Sequence, residues 1–186
     1  KLLLGLDYAE FLTGKEDEIE EFILSFIRER VAQRIATITK RHDIIDAVVN
    51  SNTSSVPEQL KAAKVLSAVS ESEEFKGITE ALNRVINISA KAQDDASGEI
   101  LEDRLETASE RTLVKAIKEL HSKVQTLTPE ELYSHLEALA PKINDFFNEN
   151  MVMVDDEAVR RNRLRFLGLL SQIILDFADF TSLIVK

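Results

Sequence analysis

The side chains best suited to chemistry are His42, Asp43 and Asp46, together with two dense runs of arginine. An imidazole and two carboxylates are donor types for a metal-assisted hydrolytic centre, but such a centre needs further ligands arriving from other helices. His121 and His135 stand at no ligand spacing, so the His-Asp pair reads as an ordinary helix start and no metal is assigned. Serine, histidine and aspartate all occur, yet there is no nucleophile elbow, glycine-rich phosphate loop or adjacent activated nucleophile, and no catalytic residue is assigned. Arg160, Arg161, Arg163 and Arg165 form the densest basic run, with Arg28, Arg30, Arg34, Lys40 and Arg41 the second. Either could neutralise phosphates, or pair with carboxylates and lay its stems over the core. Asn83, Arg84 and Asn87 fall on one turn of helix, where they could face solvent or a base.

The elements that must position these groups are helical. Five Gly and three Pro in 186 residues leave few chain breakers, so long helices are favoured over strands joined by tight turns. With 44% apolar residues the chain can build one sizeable domain, and the expected fold is an all-α, multi-helix bundle. The net charge of −10 argues against a broad electrostatic blanket for nucleic acid while leaving room for a local basic patch. Zero Cys excludes disulfides and thiolate metal sites, which fits a reducing, cytoplasmic setting. The most apolar stretch, residues 164–180, contains Arg165, Gln172, Asp176 and Asp179, so it is a poor bilayer span and a good buried helix. No signal peptide is recognisable, and a start at Lys1 in mid-pattern suggests a piece of something longer.

Thr13 and Glu16 have capping-box spacing, and Ile19, Phe22, Ile23, Phe26, Ile27, Val31, Ile35 and Ile38 then predict one long amphipathic helix. A short helix follows around residues 44–49, a polar loop over 50–56, and a helix from Pro57 to Val69. Ser70 with Glu73 offers a cap for a helix reaching about Ala90, and residues 93–98 read as an exposed loop. Residues 101–124 give a helix or a broken pair. Thr128-Pro129-Glu130-Glu131 is a strong start signal, and Pro141 is expected to end or bend that helix. The acidic groups at 71–74 and 155–157 read as helix-terminal charges, the latter capping a final long helix.

At Asp145-Phe146-Phe147, Met151 through Arg160 (Met-Val-Met-Val-Asp-Asp-Glu-Ala-Val-Arg) and Asn162-Arg163-Leu164, the chain resembles the carboxy terminus of glycyl-tRNA synthetase beta subunits. Residues 41–48, 84–88 and Ala178-Asp179-Phe180 resemble further segments in the family's order, so the resemblance runs through most of the chain. Its terminal module is similar to the DALR-type anticodon-binding domain, with Glu157-Ala158-Val159-Arg160 as the counterpart of Asp-Ala-Leu-Arg and Asn148-Glu149-Asn150 where the family pattern has Asp-Asn-Val. The resemblance implies a helical anticodon-binding region over residues 15–186, with a DALR-like core at about 75–186 and residues 1–14 left from a preceding region. It further implies an enzyme of alpha and beta subunits that joins glycine to its tRNA using ATP and magnesium, with aminoacylation on the alpha subunit and no cofactor in this stretch. The implied partners are glycine tRNA, the alpha subunit and the rest of the beta subunit, with no membrane and no DNA. Arg160 and Arg163, from the most specific motif, are the leading RNA-binding candidates, followed by Arg34, Arg41 and Arg84. The competing expectation is a helical protein-protein scaffold that never touches RNA.

Overall fold

The computed structural model describes residues 16–91 and 98–185, which form seven α-helices and no strand. They are α1 (Glu16–Ile35), α2 (His42–Val49), α3 (Val56–Val69), α4 (Glu73–Ala90), α5 (Ala108–Lys123), α6 (Pro129–Glu149) and α7 (Glu157–Phe177). Short 3-10 turns occupy Glu102–Arg104, Val124–Thr126 and Phe180–Ser182. The all-α expectation holds.

The bundle is organised around α7, where Leu164, Phe166, Leu167, Leu170, Ile173, Ile174 and Phe177 are all buried. A helix buried on so many sides needs neighbours all round, and α4, α5 and α6 supply them. Phe75, Leu82 and Val85 come from α4, Leu113 and Ile117 from α5, and Leu136, Ile143 and Phe146 from α6. Phe146 meets Phe166 edge to face at 5.3 Å between ring centroids, the geometry the ring quadrupoles favour. Two backbone hydrogen bonds pin the far end of α7 to the amino-terminal helices: Asn52 N–H to Leu175 O and Asp179 N–H to Ala47 O, both 2.8 Å.

Local chemistry explains the helix starts. Thr128 and Glu131 form a reciprocal capping box with Pro129 behind the cap, as expected. Thr107 and Glu110 form a second box that resolves the stretch after Leu101 into a 3-10 turn and α5. Asp156 Oδ1 accepts the amides of Ala158 and Val159 and so caps α7, at 2.9 and 3.1 Å. The Ser70–Glu73 cap does not form: Ser70 closes α3, and Ser72 precedes α4 without a side-chain cap bond. Pro141 does not end α6 either, because buried Leu139, Ala140 and Ile143 on both sides of it hold the helix to the core through to Glu149. The expected Thr13 cap and most of the 93–98 loop lie outside the described residues.

α1 departs most from expectation. Only Val31 and Ile35 are buried, whereas Phe22 is 71% exposed and Phe26 50%. At 3.6 residues per turn, Ile19, Phe22, Ile23 and Phe26 share a face roughly 150° away from the one carrying Leu24, Val31 and Ile35. The three- and four-residue steps therefore describe two stripes on different faces, and only the end of the second reaches the bundle.

Candidate nucleic-acid interface

The arginine-rich segment at the start of α7 works largely inward. Arg163 is buried, and each of its guanidinium nitrogens has a partner: Nε donates to Glu110 Oε1 at 2.5 Å, Nη1 to the Met151 carbonyl at 2.8 Å, and Nη2 to Glu106 Oε2 at 2.9 Å. Glu110 is fully buried, and its other oxygen accepts the amides of Glu106 and Thr107, so one carboxylate starts α5 and anchors α7. Asn150 joins this cluster through Ser109 Oγ at 3.0 Å and the Phe146 carbonyl at 2.9 Å. A buried ion pair survives only when such hydrogen bonds replace the lost water.

Asn162 forms a second clamp, accepting the Leu101 amide at 2.7 Å and donating to the Leu101 carbonyl at 2.9 Å. Arg160 Nη1 donates to the Val154 carbonyl at 2.9 Å. One turn of α7 thus fixes two approaching segments, residues 99–106 and the 150–156 loop. That loop sinks Val152 and turns Met151 and Met153 out to solvent.

Of the five arginines singled out, three lie toward this end of the bundle. Arg84 is exposed on α4, its guanidinium 4.1 Å from the centroid of the Phe147 ring at the close of α6. Arg160 is half-buried beside Val154, and Arg163 is interior. Arg41 belongs to the opposite end, where it makes a bidentate pair with Asp43 at 3.1 and 2.6 Å and donates to the Ile184 carbonyl. Burial pushes the Asp43 carboxyl up, but the hydrogen bonds from Arg41 and the Ile184 amide, with the charge of Arg41, outweigh it and hold the group below its ordinary range. Arg41 and Asp43 therefore clasp the segment after α7 through the carbonyl and amide of Ile184. Arg34, exposed on the last turn of α1, is on that side, since α1 packs on α2 and α3.

Sequence reasoning missed Glu106, Thr107 and Glu110, and it named Asn150 and Asn162 within family motifs without giving either a structural role. Thr107-x-x-Glu110 carries visible capping-box spacing, whereas the Glu110–Arg163 pair spans 53 positions and leaves no local mark.

A family model described as the DALR anticodon binding domain matches residues 78–179, which span α4 to α7 and the clamps just described. The chain is similar to the glycine--tRNA ligase beta subunit of Lacticaseibacillus casei (strain BL23), 37% identical over 162 residues, 87% of this chain and 23% of that protein. The bearers of the same name in Pediococcus pentosaceus and Lactobacillus delbrueckii subsp. bulgaricus are each 32% identical, covering 91% and 100% of this chain and 24% and 26% of theirs. The chain spans about a quarter of the length of the curated relatives it matches. With more than half of its residues under the family model, the chain belongs to the DALR anticodon binding domain family.

Proposed function

We propose that this chain is the tRNA-reading module of a glycyl-tRNA synthetase beta subunit, binding the anticodon loop of glycine tRNA while the parent enzyme attaches glycine. The observation that carries this reading is the family match over residues 78–179, within which Arg163 and Arg160 fix the 150–156 loop at the Met151 and Val154 carbonyls. Aminoacylation with ATP and magnesium belongs to other parts of an alpha- and beta-subunit enzyme in the cytoplasm, and this chain contributes no catalytic group. Its binding core takes in about residues 75–186, with glycine tRNA, the alpha subunit and the rest of the beta subunit as partners. No helix among the described residues is long and apolar enough to cross a membrane.

The recognition chemistry follows from the ligand. Glycine codons begin with two guanines, so the anticodon carries two cytosines, whose exocyclic amino groups donate to carboxylates. In an unstacked loop those edges are free. Asp155 and Glu157 are exposed beside Met153, where an acidic acceptor and an arginine for phosphate stand within one loop of each other. Arg163 serves by holding that loop in shape.

The test is binding of the chain to glycine tRNA and to the same tRNA with both anticodon cytosines replaced, at two salt concentrations. Salt-sensitive binding lost on replacement supports the reading. Equal binding to both RNAs, or none to either, overturns it for this chain. The scaffold reading retains one observation, the uncovered face of α1 with Phe22 and Phe26, and that face lies outside the matched residues.

A further inference from the structure

We propose that Met151 and Met153 form an apolar ledge on which an unstacked base of the bound RNA loop rests, a contact that builds on the anticodon-reading assignment. Met151 is 76% exposed and Met153 66%, while Val152 between them is 6% exposed and sits in the core. Among the described residues, both side chains stand clear of the core. Two large apolar side chains held out in water from one short loop make an apolar surface that a ligand can cover.

The loop that carries them is fixed in place. Its backbone is held at the Met151 carbonyl by Arg163, at the Val154 carbonyl by Arg160, and internally by Val154 N–H to Val152 O at 3.1 Å. Asn150, where α6 ends, is locked by Ser109 and Phe146. Burying Arg163 against Glu110 adds little to stability compared with an apolar pair of the same volume. What it does add is a defined path for the chain from 150 to 154, and hence two methionines presented from a fixed backbone.

A polarisable thioether suits the π-face of a ring, and bases splayed from a single-stranded loop offer such faces without regard to sequence. The family match is what favours RNA over a protein partner, since the charges nearest the loop are the exposed carboxylates Glu149, Asp155 and Glu157. Arg84 and Arg160 stand at this end of the bundle for phosphate, and the whole loop lies within residues 78–179. In this arrangement the methionines supply affinity that is blind to base identity, and the nearby carboxylates supply the discrimination.

The experiment titrates the 186-residue chain against a fluorescent hairpin of the glycine tRNA anticodon arm, and against hairpins in which each anticodon cytosine in turn is abasic. Met151→Ala and Met153→Ala should each weaken binding about threefold, and together about tenfold, with the salt dependence unchanged. One abasic hairpin should bind the native chain and the double variant alike, because the base that would rest on the ledge is gone. Hydrogen peroxide oxidation of both thioethers, followed by mass spectrometry on the native chain, should slow when the hairpin is bound, a readout that needs no variant to fold. Unweakened binding by the double variant, or oxidation indifferent to the hairpin, overturns the ledge and leaves the methionines to a protein surface. Failure of the native chain to bind the hairpin overturns the anticodon reading itself, and the ledge with it.

Discussion

Arg163→Met keeps the length of the side chain and removes its charge, leaving the Glu110 carboxylate buried without its cation. Breaking one half of a buried pair costs far more than the pair contributes, so the variant should lose about 3 kcal/mol in urea unfolding. A change below about 0.5 kcal/mol would show that Glu110 is satisfied by its two backbone amides alone. Asp176 tests the opposite sign of burial. Desolvation, opposed by a hydrogen bond from Asn52, raises its carboxyl above the ordinary 3.8. A group whose folded pKa is raised is harder to ionise in the folded state. Its ionisation therefore subtracts stability in full above the folded pKa, and the penalty fades as pH falls towards 3.8. Asp176→Asn should raise the urea midpoint at neutral pH, with the gain shrinking as pH is lowered into the carboxylate range. A gain that grows on acidification would refute the assignment.

The two stripes of α1 make a contrast that unfolding measurements can read. Ile35 is fully buried, and Ile35→Ala should cost about 3 kcal/mol through lost transfer energy and the cavity left behind. Phe22→Ser and Phe26→Ser, on the uncovered face, should each stay within about 0.5 kcal/mol of the native chain. A large loss from either phenylalanine would mean that the stripe is covered by another part of the chain or by a second copy. This helix also marks where sequence reading ran out. Apolar steps of three and four revealed that residues 16–35 are helical, but they cannot show which stretch meets the core, because that depends on where α2 and α3 happen to end. The starts at Thr128 and Asp156 were legible because capping is a local bargain between a side chain and nearby amides. That Pro141 does not end α6 was hidden for the reverse reason: the flanking burial that carries the helix past it is tertiary. At the candidate site, the segment from Met151 to Leu164 stood out through its family resemblance and its run of arginines. Its division of labour could not be read there, since the inward turn of Arg163 depends on Glu110 from another helix.

At the scale of the whole molecule, the five candidate arginines do not make one patch. α7 is 21 residues long, about 30 Å at 1.5 Å per residue, with Arg160 near its first turn and the Arg41–Asp43 clasp beyond its last. Arg84 lies toward the Arg160 end through Phe147, and Arg34 lies toward the other. A short anticodon hairpin engaged at the 150–156 loop therefore draws on one set and leaves the other idle. Arg84→Ala and Arg160→Ala should each lower the slope of log affinity against log salt by about 1 for the hairpin, since each removes one phosphate contact and one released counterion. Arg34→Ala is the control for the distant end, preferred to a change at Arg41 because Arg41 is engaged with Asp43 and Ile184. It should leave the hairpin slope unchanged, and should lower the slope for whole tRNA if the body of the RNA runs along α7. The reverse pattern, a hairpin slope that falls with Arg34→Ala and ignores Arg84→Ala and Arg160→Ala, would place the anticodon at the α1–α2 end. In that case the clamped loop, for all its rigidity, would face something other than the anticodon.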